Sequence, residues 1–190
     1  GHDSGFGYDF GIRYLFGGGN RVNAISVDMN IAGGMIDTCF AGGNSATVTT
    51  SSICHVETAT DKKIWINPKG ELTNTEWVGG KGIYNVRNLF AGNNLADMNI
   101  IPTMELVKGG LGTVYGGGNR GDMTYNAALN TTLFPVDIDP LTDSILAPTK
   151  ISTYVIVDAA NTSDLDIDYL YGGCRMSNVT TSTYVKVNNG

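Results

Sequence analysis

Short runs of alternating apolar and polar residues, separated by glycine pairs, dominate this chain, and little of it follows a helical spacing. Val27-Asp-Met-Asn-Ile31 and Tyr154-Val-Ile-Val157 are such runs, and each predicts a short strand with one face on a core. Gly33-Gly34, Gly79-Gly80 and Gly109-Gly110 mark turns between them.

The runs belong to a motif that occurs five times. It reads Ile12-Arg-Tyr-Leu-Phe-Gly-Gly-Gly-Asn20, then Ile36-Asp-Thr-Cys-Phe-Ala-Gly-Gly-Asn44, then Val86-Arg-Asn-Leu-Phe-Ala-Gly-Asn-Asn94. The last two copies are Leu111-Gly-Thr-Val-Tyr-Gly-Gly-Gly-Asn119 and Ile167-Asp-Tyr-Leu-Tyr-Gly-Gly-Cys-Arg175. The first and fourth columns are apolar, the fifth is always Phe or Tyr, and the seventh is always Gly (Gly18, Gly42, Gly92, Gly117, Gly173). A glycine there serves a turn with positive φ or a close backbone approach. Asn follows in four of the five copies, then come a small, a polar and an apolar position, the last being Ala24, Val48, Met98, Met123 and Val179. The aromatic positions Phe16, Phe40, Phe90, Tyr115 and Tyr171 are spaced 24, 50, 25 and 56 residues apart.

A 24–25-residue period of short strands and glycine turns predicts an all-β fold, a parallel β-helix or β-solenoid of about five coils. Coils stacked at ~4.8 Å put equivalent residues above one another. The aliphatic columns then become core ladders, the Phe/Tyr column an aromatic stack, and Asn20, Asn44, Asn94 and Asn119 an amide ladder. The second column, Arg13, Asp37 and Arg87, alternates in sign, as neighbouring strands favour. An antiparallel sandwich with glycine-rich hairpins is the competing fold, but it does not explain five columns in register. The two long intervals predict insertions at approximately 50–77 and 125–152 on one side of a single domain spanning 1–190. The sequence starts without Met or an apolar leader, and it stops just after the strand Tyr184-Val-Lys-Val187, part-way through the fifth coil; both suggest a piece of a longer chain.

Composition narrows the function classes. Glycine supplies 26 of 190 residues, about twice ordinary usage. Hydrophobic residues at 42% are enough for a core, which argues against a disordered chain. Twelve basic against eighteen acidic residues give a net charge of −6, which argues against nucleic acid and anionic membranes as partners. No apolar run is long enough to span a bilayer as a helix. Cys39, Cys54 and Cys174 show no zinc spacing and no disulfide framework.

The strings Gly34-Met-Ile-Asp-Thr-Cys-Phe-Ala-Gly-Gly-Asn44 and Gly109-Gly-Leu-Gly-Thr-Val-Tyr-Gly-Gly-Gly-Asn119 resemble glycine-rich repeats of large bacterial surface or adhesin-like proteins. The similarity covers residues 12–48, 79–124 and 167–180, about half the chain. It implies an exported, extracellular or cell-surface β-solenoid of structural or adhesive role, and it carries no catalytic residues. The fifth copy departs from the pattern at Cys174 and Arg175.

Candidate chemistry is sparse. Asp137, Asp139 and Asp143 cluster in the second insertion and are candidate Ca²⁺ ligands, although the DxDxDG spacing is absent. Asp164, Asp166 and Asp168 alternate along one strand, and with Asp137 and Asp139 they are the acids a carbohydrate-active β-helix enzyme would use. Trp65, Trp77, Tyr125 and Phe134 lie in or beside the insertions and are candidate platforms for a protein or glycan ligand. Arg120-Gly121-Asp122 spells a cell-attachment tripeptide, yet the repeat columns account for it. The Gly-Gly-Gly-Asn turn lacks the Lys-Ser/Thr of a phosphate loop, and His2 and His55 have no partner motif for a nucleophilic triad. The expectation is a non-enzymatic structural or adhesive module without a cofactor, able to self-associate end to end or laterally. A lyase or glycosidase is the first alternative and a phage-like fibre segment the second.

Overall fold

The computed structural model describes residues 2–3, 9–58, 64–66, 72–73, 81–126, 150–161 and 164–189. The described residues contain no helix. Two short pieces stand apart. Strands β1 (His2–Asp3) and β2 (Asp9–Phe10) pair antiparallel, and β7 (Ile64–Ile66) pairs antiparallel with β8 (Leu72–Thr73) and β9 (Lys81–Ile83). The other nine strands form one parallel sheet: β3 (Ile12–Phe16), β4 (Ala24–Ile31), β5 (Ile36–Phe40), β6 (Val48–Glu57), β10 (Val86–Phe90), β11 (Thr103–Tyr115), β12 (Ile151–Asp158), β13 (Leu165–Tyr171) and β14 (Ser182–Asn189).

The sheet has two halves that share β11. In the first, β3, β5, β10, the end of β11 and β13 lie side by side, so that Phe16, Phe40, Phe90, Tyr115 and Tyr171 pair in register. In the second, β4, β6, the start of β11, β12 and β14 follow in the same order. Each rung thus runs from a strand of the first half, through a glycine turn, to a strand of the second. Between the halves, Met98, Met123 and Val179 form single parallel bridges. The sheet curls so that the halves share one core. Leu89, Val86, Leu111 and Val114 of the first half pack in the same buried cluster as Val56, Met104, Leu106 and Val155 of the second. The Cys39 thiol reaches 3.6 Å from Met29 Sδ across it.

The aromatic column stacks as the register dictates. Ring centroids are 5.0, 4.6, 4.7 and 5.2 Å apart from Phe16 to Tyr171, with interplanar angles of 5 to 13°. These separations match the strand spacing, and each such contact contributes roughly 0.5–1.5 kcal/mol beyond burial. The amide ladder is also present. Asn44, Asn94 and Asn119 each donate from Nδ2 to the Oδ1 of the preceding rung at 2.8 Å. Three residues further along runs a second ladder, which the motif marks only as a polar position. The Thr47, Asp122 and Asn178 N–H groups donate to Oδ1 of Asn23, Asp97 and Asp122. Asp122 of the Arg120-Gly121-Asp122 string is therefore a member of this ladder.

Gly109 explains how one strand serves both halves. Its φ of +136° turns β11 between the two pairing sets, and a Cβ there would lie 2.6 Å from Thr58 Oγ1. Two boundaries differ from the sequence reading. Residues 50–57 lie in β6 of the parallel sheet, and residues 151–152 open β12, so both expected insertions are narrower than their long intervals suggest. Strand β6 hides a run of Thr and Ser behind a weak alternation, Val48, Ser52, Cys54 and Val56 facing inward.

Candidate binding groove

The stacked columns build a groove of about 950 Å³ on the outer side of the first half, running across the rungs. Its floor is the third column of the motif: Thr38, Asn88 and Thr113, with Tyr14 and Tyr169 at the two end rungs. One wall is the aromatic column, Phe16, Phe40 and Phe90, continuing past the turn to Asn44, Asn94, Asn119 and the exposed Arg120 and Arg175. The other wall carries Asp37, Arg87 and Asp168 of the second column together with Tyr84. Strand alternation accounts for the floor and the aromatic wall, since the fourth column points into the core and the third and fifth away from it, whereas the second column lines the groove against that alternation.

The polar groups of the second wall are tied to one another. Arg87 Nη2 lies 2.7 Å from Asp37 Oδ1, the ion pair that sign alternation in the second column predicts. Arg13, the other neighbour of Asp37, instead places its guanidinium 5.7 Å from the Tyr14 ring centroid. The Tyr84 hydroxyl donates to Asp168 Oδ2, closing the wall at the last rung. On the opposite wall, Arg120 and Arg175 form no ion pair among the described residues.

The acids named from the sequence do not share one cleft. Asp168 lines the groove, Asp166 is exposed on β13 opposite Gly110, and Asp164 sits in the turn before β13, where Asn161 donates to its Oδ2 at 3.1 Å. Asp137, Asp139, Asp143, Trp77 and Phe134 lie outside the described residues. Trp65 stands on β7, opposite Thr73 and Gly82. Tyr125 is half-buried, with Lys150 Nζ 5.9 Å from its ring centroid, and it does not line the groove. Tyr14 and Tyr169 escaped the sequence reading, although the third column carried a signal in its tyrosines at the first and last copies, while Arg120 was noted only within the tripeptide and Arg175 only as a departure from the motif.

A second polar cluster lies on the other half of the sheet. His55, assigned by sequence to an insertion, is on β6, with Nδ1 2.9 Å from Glu105 Oε2 and Nε2 3.4 Å from Glu57 Oε2. The hydrogen bond to Glu105 raises the imidazole pKa above its ordinary value, partial burial opposes this, and Glu57 adds to the rise. The thiols are of the opposite kind. Burial pushes Cys54 up to about 12 and Cys39 higher still, with the neighbouring Cys54 adding to the latter, so both stay protonated core residues. No three His, Cys, Asp or Glu side chains among the described residues come close enough to hold a metal ion. The chain matches no family model, no curated protein and no solved structure.

Proposed function

We propose that this chain is a β-solenoid module of an exported, cell-surface protein, and that it acts by binding rather than by catalysis. The single observation that carries this reading is the shared order of rungs in the two sheet halves, which lines up one groove across five motif copies. A site assembled from repeated columns presents the same kinds of group at every step. That suits an extended ligand contacted along its length, whereas hydrolysis needs two carboxylates on either side of one bond. The carboxylates of the groove are engaged with Arg87 and Tyr84, and Asp164 and Asp166 lie elsewhere. Similarity to glycine-rich surface repeats supports the exported location.

The reading is tested by incubating the protein with a panel of extended polysaccharides and unfolded polypeptides, scoring retention and new chain ends together. Retention without cleavage is the expected result. Cleavage that disappears when Asp164, Asp166 and Asp168 are changed to Ala would make the chain an enzyme.

A further inference from the structure

The groove floor offers one side chain per rung, in the order Tyr14, Thr38, Asn88, Thr113, Tyr169. Four steps of ~4.8 Å make it about 19 Å long. Tyr14 and Tyr169 are 56% and 62% exposed, and the Thr38 and Thr113 side chains make no hydrogen bond among the described residues. The lining carries Arg87, Arg120 and Arg175 against Asp37 and Asp168, a balance of 3 − 2 = +1 on a chain of net −6. Since Arg87 is engaged with Asp37 and Asp168 with Tyr84, the cations left to a ligand are Arg120 and Arg175, on neighbouring rungs at one end.

Arg175 occupies the place where the motif has Asn. The substitution leaves Asn119 Oδ1 buried with no hydrogen-bond partner at the end of the amide ladder. A local rule broken without a compensating contact is the kind of inconsistency expected at functional positions.

We propose that this groove binds an extended acidic glycan lying across the rungs. Sugar faces rest on Tyr14 and Tyr169, hydroxyls meet Thr38, Asn88 and Thr113, and carboxylates meet Arg120 and Arg175. The inference rests on the binding reading above and names its ligand class. Rungs recur at a spacing close to that of successive sugars in an extended polysaccharide, and hydroxyls and amides are the groups that pair with sugar hydroxyls. Guanidinium groups suit carboxylates through bidentate hydrogen bonds. A volume of about 950 Å³ is at the top of the range for compact small-molecule pockets, which favours several linked sugars over one. An extended peptide fits less well. The groove is a sheet face rather than an edge, so it offers no row of backbone groups for strand addition.

Affinity electrophoresis and titration calorimetry with polygalacturonate, hyaluronate, alginate and polysialate test the proposal, with methyl-esterified polygalacturonate, dextran and poly-glutamate as controls. At least one acidic glycan should bind, more weakly at high salt. Arg120→Gln together with Arg175→Gln should weaken that binding at least tenfold, and Tyr169→Ala should weaken it as well. His55→Gln, on the other half of the sheet, should leave it unchanged. Both arginines are exposed, so a matching melting temperature verifies that the double variant folds. Equal binding of poly-glutamate, or acidic-glycan binding that survives the double arginine change, overturns the proposal. So does retention of neutral glycans or polypeptides alone, which leaves the binding reading standing; retention of no polymer at all removes both.

Discussion

Gly92 lies beneath the next rung, and a Cβ there would come within 2.7 Å of the Gly118 nitrogen and 2.9 Å of Met123 Sδ. Gly173, in the same motif column, belongs to the last rung, where the nearest atom to a Cβ is Val179 Cγ2 at 3.5 Å. The column is glycine because backbone is stacked upon it, not because φ is positive; among the described glycines only Gly34 and Gly109 have positive φ. Gly92→Ala should therefore destabilise the fold by roughly 1–3 kcal/mol through overpacking. Gly173→Ala should stay within about 0.5 kcal/mol in the same urea titration. Equal effects would mean that the stacked contact is not what selects glycine. His55 gives a second residue-scale expectation. Its pKa is raised in the folded state, so its pairing with Glu105 and Glu57 is fully present below the unfolded value of about 6.5 and is lost as pH rises through the folded value. The melting temperature should fall across that window in the parent protein. His55→Gln should flatten the slope, and a slope left intact would assign it to other groups.

At the scale of elements, the turns and the strands of the first half were legible in the sequence because every copy repeats the same columns. The amide ladder follows from Asn at four of five positions, and its end follows from Arg175 at the fifth. Restoring the missing amide should extend it. In Arg175→Asn, the new Nδ2 can donate to Asn119 Oδ1, raising stability by about 1 kcal/mol in a urea titration while removing one groove cation. No gain would show that the Asn119 acceptor is satisfied by solvent. The second half of the sheet was harder to read. Strand β6 carries Thr49, Thr50, Ser51 and Ser52, residues that read as loop when taken one strand at a time. Their strand conformation comes from pairing with neighbours about 25 or 50 residues away, a tertiary effect that local pattern does not encode.

Across the whole molecule, all-β character and parallel register were legible, since five columns that repeat at a common spacing satisfy few other packings. The groove was not. It depends on which side of each strand faces outward, and apolar positions one and four of the motif have opposite parity in a simple alternation. Asp37, Thr38 and Phe40 all line the groove, although Asp37 and Phe40 are themselves buried. That placement joins the third column to the aromatic stack and turns scattered Tyr and Arg residues into a site. Strand β11 adds a mechanical consequence. Because a single unbroken strand is hydrogen-bonded into both halves and bends at Gly109, neither half can slide along its own axis without dragging the other. A shearing load applied at the groove is thereby shared by the opposite side of the sheet.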